Sequence, residues 1–348
     1  MDQTTTISMQ AAAVVQQQAE LPGIREVMEC VERRLEQAVR CDGASTAAIM
    51  AYLGQTRGKR LRPALVVVWH DVFADLDQPR SPVLVDTATT VELVHLASLL
   101  HDDLVDGAAE RRGMPTVASQ WGGAAAVLAG DFLFASAFGM LVGGGQYHAL
   151  GALARALRDM SEAEVEQLSV AYRVPASGET AEETYWRCVR GKTGSLFAAA
   201  CEAGAVAGGA EGRYSSVAKD FGMLLGSAFQ VTDDLLDYTG DPARLGKPTG
   251  QDLARGLLTL PAARLLAGGG PVAAQLREGL SQHHVPANLI KQVQEAVVSG
   301  GAAAYTRDAV RGLLQQAGDC LALLPARQRA RADQLLAPVL GALAAREC

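Results

Sequence analysis

From Leu21 onward the chain runs through long Ala-, Leu- and Val-rich segments, none of which sustains a period-two alternation of β-branched residues. A half-buried strand needs that alternation, so a sheet is not expected. Ala and Leu favour helix, and segments that are apolar around much of their circumference belong in the middle of a bundle. Gly and Pro punctuate them at Gly58, Pro63, Gly107, Gly113, Pro115, Pro175, Gly240 and Pro242, and in the runs Gly143–Gly145, Gly208–Gly209, Gly268–Gly270 and Gly300–Gly301. No linker-like stretch divides the chain, and no solenoid-type repeat recurs. The expectation is one large all-α domain over residues 21–348, preceded by a polar, Gln/Thr-rich, frayed segment over residues 1–20.

Charge and cysteine usage then narrow the function. The net charge of -7 has no basic block to offset it, which argues against a nucleic-acid partner. Six cysteines (Cys30, Cys41, Cys188, Cys201, Cys320 and Cys348) are scattered with no Cys-x-x-Cys pair. That spacing suits neither a zinc site nor a disulfide framework, and reads as reduced thiols in a cytoplasmic protein. The N-terminus lacks the basic-then-apolar layout of a signal peptide. The longest apolar runs are interrupted by Gly or charge, so no transmembrane segment is expected.

Two acidic clusters carry the chemistry. Asp102-Asp103-Leu104-Val105-Asp106 follows the apolar run from Val91 to Leu100, and Asp233-Asp234-Leu235-Leu236-Asp237 follows the run from Phe221 to Val231. On a helix, Asp102 and Asp106 share one face, as do Asp233 and Asp237, and like charges at that spacing repel. A cation should sit between them. Carboxylate oxygens are hard ligands suited to Mg²⁺, which takes one or two carboxylates together with substrate phosphate oxygens. A single copy would equally suit a solvated acidic helix end; two copies embedded in apolar helices argue for metal.

Basic residues complete the pattern. Lys59, Arg60 and Arg62 lie in the short segment Gly58–Pro63, Arg111 and Arg112 follow the first cluster, Lys192-Thr193-Gly194 opens another apolar helix, and Lys247 follows the second cluster. Each alone is ordinary surface charge; together they can neutralise diphosphates, with arginine forks suited to bidentate contact.

In this order the motifs resemble the trans-prenyltransferase (polyprenyl synthetase) family from about Gly58 to Pro261. The matching stretches are GKRLRP at 58–63, ELVHLASLLHDDLVDGAAERRGMPT at 92–116, GDFLFASA at 130–137, KTGSLF at 192–197, and FQVTDDLLDYTGD, LGKPTGQDL and TLP between 229 and 261. The resemblance implies an all-α bundle around a deep central cavity, usually a homodimer, using about three Mg²⁺ ions. It implies that the substrates are isopentenyl diphosphate and an allylic diphosphate, condensed head to tail. Asp102, Asp106 and Asp233 would ligate the metal, with Asp103, Asp234 and Asp237 in support. Arg111, Lys192 and Lys247 would contact the allylic diphosphate, and Lys59, Arg62, His95 and Arg112 that of isopentenyl diphosphate. Thr193 and Gln230 would line the reaction centre.

Two positions depart from the family pattern: Leu257 stands where a lysine is usual, and Ala163 where a glycine usually precedes Glu164. The resemblance also bears on product length. Short-chain members usually carry bulky aromatics just before the first cluster, whereas Ala97 and Ser98 stand here with Val94 and Val91 beyond. A product of geranylgeranyl length or longer is expected. Three rivals stay open: a terpene cyclase, which normally has a different second metal motif; a subunit of a two-component synthase; and an acidic helical scaffold.

Overall fold

The computed structural model describes residues 22–55, 58–174, 181–242 and 248–344. The N-terminal segment 1–20 and Lys247 lie outside them. The chain forms α1 (Pro22–Ala38), α2 (Ala44–Gln55), α3 (Leu61–Phe73) and α4 (Pro82–Val105). A two-residue hairpin follows, β1 (Glu110–Arg111) paired with β2 (Met114–Pro115). Then come α5 (Val117–Trp121), α6 (Gly123–Gly143), α7 (Tyr147–Val170), α8 (Ala181–Val189), a π-helical turn (Arg190–Gly194), α9 (Ser195–Ala207) and α10 (Arg213–Thr239). The C-terminal part holds α11 (Gln251–Ala254), α12 (Leu260–Gly268), α13 (Pro271–Ser281), α14 (Ala287–Ser299), α15 (Ala302–Leu321) and α16 (Ala326–Ala344).

The all-α expectation holds apart from the small hairpin, whose Gly113 adopts a positive φ of 73°. Helix α9 lies deepest, packed on α3, α7 and α10. Its small side chains make that possible: a Cβ on Gly204 would come within 2.2 Å of the Val66 carbonyl oxygen of α3. Helix α4 packs along α6 and also touches α9. It starts cleanly, with the Ser81 side chain accepting from Val83 N–H and Pro82 in the first turn. The main apolar core includes Trp69, Phe197 and Phe221, while a smaller cluster built on Leu253, Leu276 and Val293 joins α11–α14 to the C-terminal end of α10.

Two apolar runs are longer than the sequence reading allowed. Both α4 and α6 are long and apolar enough to cross a membrane by length and composition. Their Gly and Asp interruptions lower the mean hydropathy too little. Burial separates the two, with 67% of the apolar window of α4 inside the bundle and only 33% of that of α6. The first therefore has the character of a core helix, and the second presents an apolar outer face.

Candidate active site

The facing ends of α4 and α10 open on a cavity of about 430 Å³, bounded also by α6, α7 and the π-helical turn. Asp102, Asp106 and Asp233 line it together with Arg62, His95, Arg111, Lys192, Thr193 and Gln230. These nine residues, up to 171 positions apart in sequence, are thus brought to one chamber.

On the α4 wall, burial pushes Asp102 up to about 6, opposed by Lys192 and assisted by Glu164 and Asp106. Asp106 caps the helix, its N–H donating to the Asp102 carbonyl. Its carboxylate accepts from Arg255 Nη1 at 2.7 Å. Asp103 turns away from the chamber, is buried, and accepts from Arg111 Nε at 2.6 Å. On the α10 wall, Asp234 and Asp237 are buried beneath Asp233. Asp237 Oδ2 accepts from the Asp252 N–H, tying α11 to the second cluster.

Among the described residues no three His, Cys, Asp or Glu side chains converge tightly enough to hold an ion unaided. The donor set nonetheless fits Mg²⁺: hard carboxylate oxygens on two facing walls, with coordination positions left for water and phosphate oxygens.

The far end of the chamber is basic. Arg62 is stacked over the Phe197 ring at 4.6 Å and donates from Nη1 to His95 Nε2 at 3.0 Å. Burial lowers Arg62 to about 10 against the pull of Glu92 and Asp233, so it stays charged at neutral pH. Its Nε is buried without a hydrogen-bond partner, an orphaned donor that an anion would satisfy. Burial, and then Arg62, Arg112, Arg111 and Arg60, hold His95 well below the ordinary histidine range, so the ring is neutral. With Nε2 accepting, its proton sits on Nδ1. Lys59 and Arg112 are not among the lining residues. Arg112 adopts a left-handed φ of 54° and gathers with Arg60 and Arg62 around the buried Glu92.

Lys192 and Thr193 do not open a helix, as the sequence suggested. They sit in the π-helical turn within one continuous rod from α8 to α9. The widened turn is a frequent functional-site device. Here it aims Lys192 at Glu164, an ion pair of 2.5 Å. Thr193 donates to Gln230 Oε1 at 2.7 Å, Gln230 Nε2 donates to Asp234 Oδ1 at 2.7 Å, and Tyr185 donates to Asp234 Oδ2 at 2.7 Å. Burial and the charge of Asp252 push Asp234 up to about 8 against those two hydrogen bonds.

Of the three chain-length positions, Ser98 lines the chamber while Ala97 and Val94 are fully buried and do not. One residue is about 100° of helix, so neighbours in sequence face different ways. Phe134 of α6 lines the chamber instead, edge-on to His101 and stacked on Phe138. Sequence reasoning missed Phe134, Glu92, Tyr185, Asp252 and Arg255. Glu92, Phe134 and Asp252 lie inside the matching stretches and Arg255 two residues beyond one, but spacing alone gave none of them a role, and Tyr185 carried no signal.

This geometry agrees with comparison to known proteins. A polyprenyl synthetase profile matches residues 44–297. The chain belongs to that family. As a polyprenyl synthetase family member it is a prenyltransferase, with an isoprenyl diphosphate synthase fold. It is 38% identical over 234 residues to heptaprenyl diphosphate synthase component 2 of Geobacillus stearothermophilus, covering 67% of this chain and 71% of that one. It is 34% identical over 274 residues to octaprenyl diphosphate synthase of Escherichia coli, covering 79% and 82% respectively. The structure is similar to a polyprenyl synthase from Caulobacter crescentus, solved with calcium and isoprenyl diphosphate. The TM-score is 0.83 at 35% identity, covering 95% of this chain and 97% of that one.

Proposed function

We propose that this family member condenses isopentenyl diphosphate with an allylic diphosphate, using about three Mg²⁺ ions, and releases a trans-polyprenyl diphosphate longer than geranylgeranyl. One observation carries the reading: a single chamber is acidic on two facing walls, through Asp102, Asp106 and Asp233, and basic at its far end, through Arg62 beside His95. The relatives named for heptaprenyl and octaprenyl products support the long chain.

Mg²⁺ bound to these carboxylates would neutralise charge developing on the departing diphosphate. Lys192 and Arg111 add cationic donors at the same end. Arg62 and its orphaned Nε hold the second diphosphate, so the two substrates are oriented before reaction. Leu157, Met160, Leu196, Phe134 and Phe229 line the chamber with apolar surface that keeps water from the allylic cation. His95 is not a base for the final proton: one ring nitrogen accepts from Arg62 and the other already bears hydrogen. The released diphosphate takes that proton.

The protein acts in the cytoplasm as a homodimer. The outer face of α6, with Val127 at 39% exposure, Leu128 at 67% and Val142 at 50%, is apolar enough to require a partner. The name "component 2" borne by one relative raises a second reading, in which the occupant is a partner component. Purified protein given Mg²⁺, isopentenyl diphosphate and each allylic primer should elongate alone, with product length read by mass spectrometry. Failure to elongate any primer, together with hydrocarbon formed from a single diphosphate, would overturn the synthase reading in favour of a cyclase. Activity only after adding a second protein would favour the two-component form.

A further inference from the structure

We propose that Arg255 supplies the cation that Leu257 lacks: a guanidinium for the allylic diphosphate, resting on Asp106 when no substrate is bound. The proposal rests on the reading of the chamber as a diphosphate site.

Arg255 stands two residues before Leu257 and reaches across from the α10 side of the site to α4. Its Nη1 donates to Asp106 Oδ2 at 2.7 Å, and its Nη2 to Asp252 Oδ1 at 3.2 Å. It therefore touches both a carboxylate of the first cluster and the residue that braces the second. Arg255 and Leu257 line a second, smaller cavity that shares Lys192 and Gln230 with the chamber, and Leu257, at the expected lysine position, offers it only apolar surface.

The position is built rather than incidental. Gly256 reverses the chain at a φ of 73°, and the Tyr172 ring lies 2.5 Å from where a Cβ would stand. The Tyr172 N–H donates to the Gly256 carbonyl at 2.9 Å, and its hydroxyl to the Ala254 carbonyl at 2.9 Å. The backbone on both sides of Arg255 is thus clamped, while its side chain stays 41% exposed. Folding does not explain the residue, because ion pairs this exposed add little stability. A guanidinium fork matches carboxylate and phosphate oxygens alike, so Arg255 can exchange Asp106 for a diphosphate without losing a partner. When a metal ion takes Asp106, that exchange becomes favourable.

The test compares wild type, Arg255→Gln and the double variant Arg255→Gln/Leu257→Lys. Binding of inorganic diphosphate in the presence of Mg²⁺ is measured by calorimetry, and KM is measured for the allylic primer and for isopentenyl diphosphate. Arg255→Gln should weaken diphosphate binding and raise the allylic KM, each by about tenfold or more, while the isopentenyl diphosphate KM changes less than about twofold. Restoring a lysine at 257 should recover most of the loss. Unchanged diphosphate affinity in the single variant, equal rises in both KM values, or no rescue by the lysine would overturn the proposal. A wild type that binds diphosphate yet elongates nothing would sink the synthase reading instead, and calorimetry would still decide the role of Arg255.

Discussion

Gly191, in the π-helical turn, lies against Ala163 of α7 so closely that a Cβ on Gly191 would come within 2.6 Å of the Ala163 Cβ and 2.8 Å of the Asp159 carbonyl oxygen. The alanine at 163, where a glycine is usual, therefore takes up the last space beside the turn that carries Lys192 and Thr193. Gly191→Ala must push that turn into the chamber. Such misplacement should lower kcat about a hundredfold, with a stability loss of about 1–3 kcal/mol. Adding Ala163→Gly should recover part of both. Steady-state kinetics and thermal melts check this; a wild-type kcat in Gly191→Ala would rule out the tight contact.

Asp102 sets a pH dependence. Burial, the largest influence, raises it from 3.8 to about 6 in the folded protein. The folded state therefore holds a proton that the unfolded state has lost over that window, and stability falls as pH rises from about 4 through 6. Asp102→Asn removes the cost of burying the charge. Its melting temperature should exceed wild type at pH 7, and the gain should vanish near pH 4, while elongation is lost. A variant no more stable than wild type at pH 7 would contradict the burial argument.

Product length should answer to Ser98 and Phe134, which line the chamber, and not to Ala97, which does not. Ser98→Phe should shorten the product and Phe134→Ala lengthen it, as read by mass spectrometry. Ala97→Phe should instead overpack the core and cost about 1–3 kcal/mol of stability. A shorter product from Ala97→Phe with unchanged stability would restore the floor that sequence suggested.

The exposed α6 face predicts association. Leu128→Glu places a charge in the middle of it and should shift sedimentation from dimer to monomer. The same mass for variant and wild type would move the interface elsewhere.

Much of this protein was legible in the chain. Helical composition, the absence of period-two alternation and the two Asp clusters pointed to an all-α metal site, because local propensity and i,i+4 spacing need no tertiary context. Asp102, Asp106 and Asp233 reach one chamber because both Asp clusters ride on helices whose faces the spacing defines; Arg111 on β1 and Lys192 and Thr193 in the π-helical turn are brought there by packing. The Lys192 segment was misread because a π-helical turn leaves no Gly or Pro break stronger than its neighbours. The apolar lengths of α4 and α6 were underread because interruptions seen by eye do not lower a window average enough, and only burial in the bundle tells a core helix from a spanning one.

Sequence by itself determined the chemistry: which helices carry carboxylates, which segments carry cations, and the loss of a lysine at 257. Tertiary structure alone decided what surrounds them. It set Phe134 and Ser98 on one chamber, braced Asp234 with Tyr185, closed Ala163 on Gly191 and brought Arg255 to Asp106. Those pairings join residues from 28 to 149 positions apart, and no local pattern encodes them. They follow from helix packing, in which one residue's rotation of about 100° decides whether a side chain faces the chamber or the core.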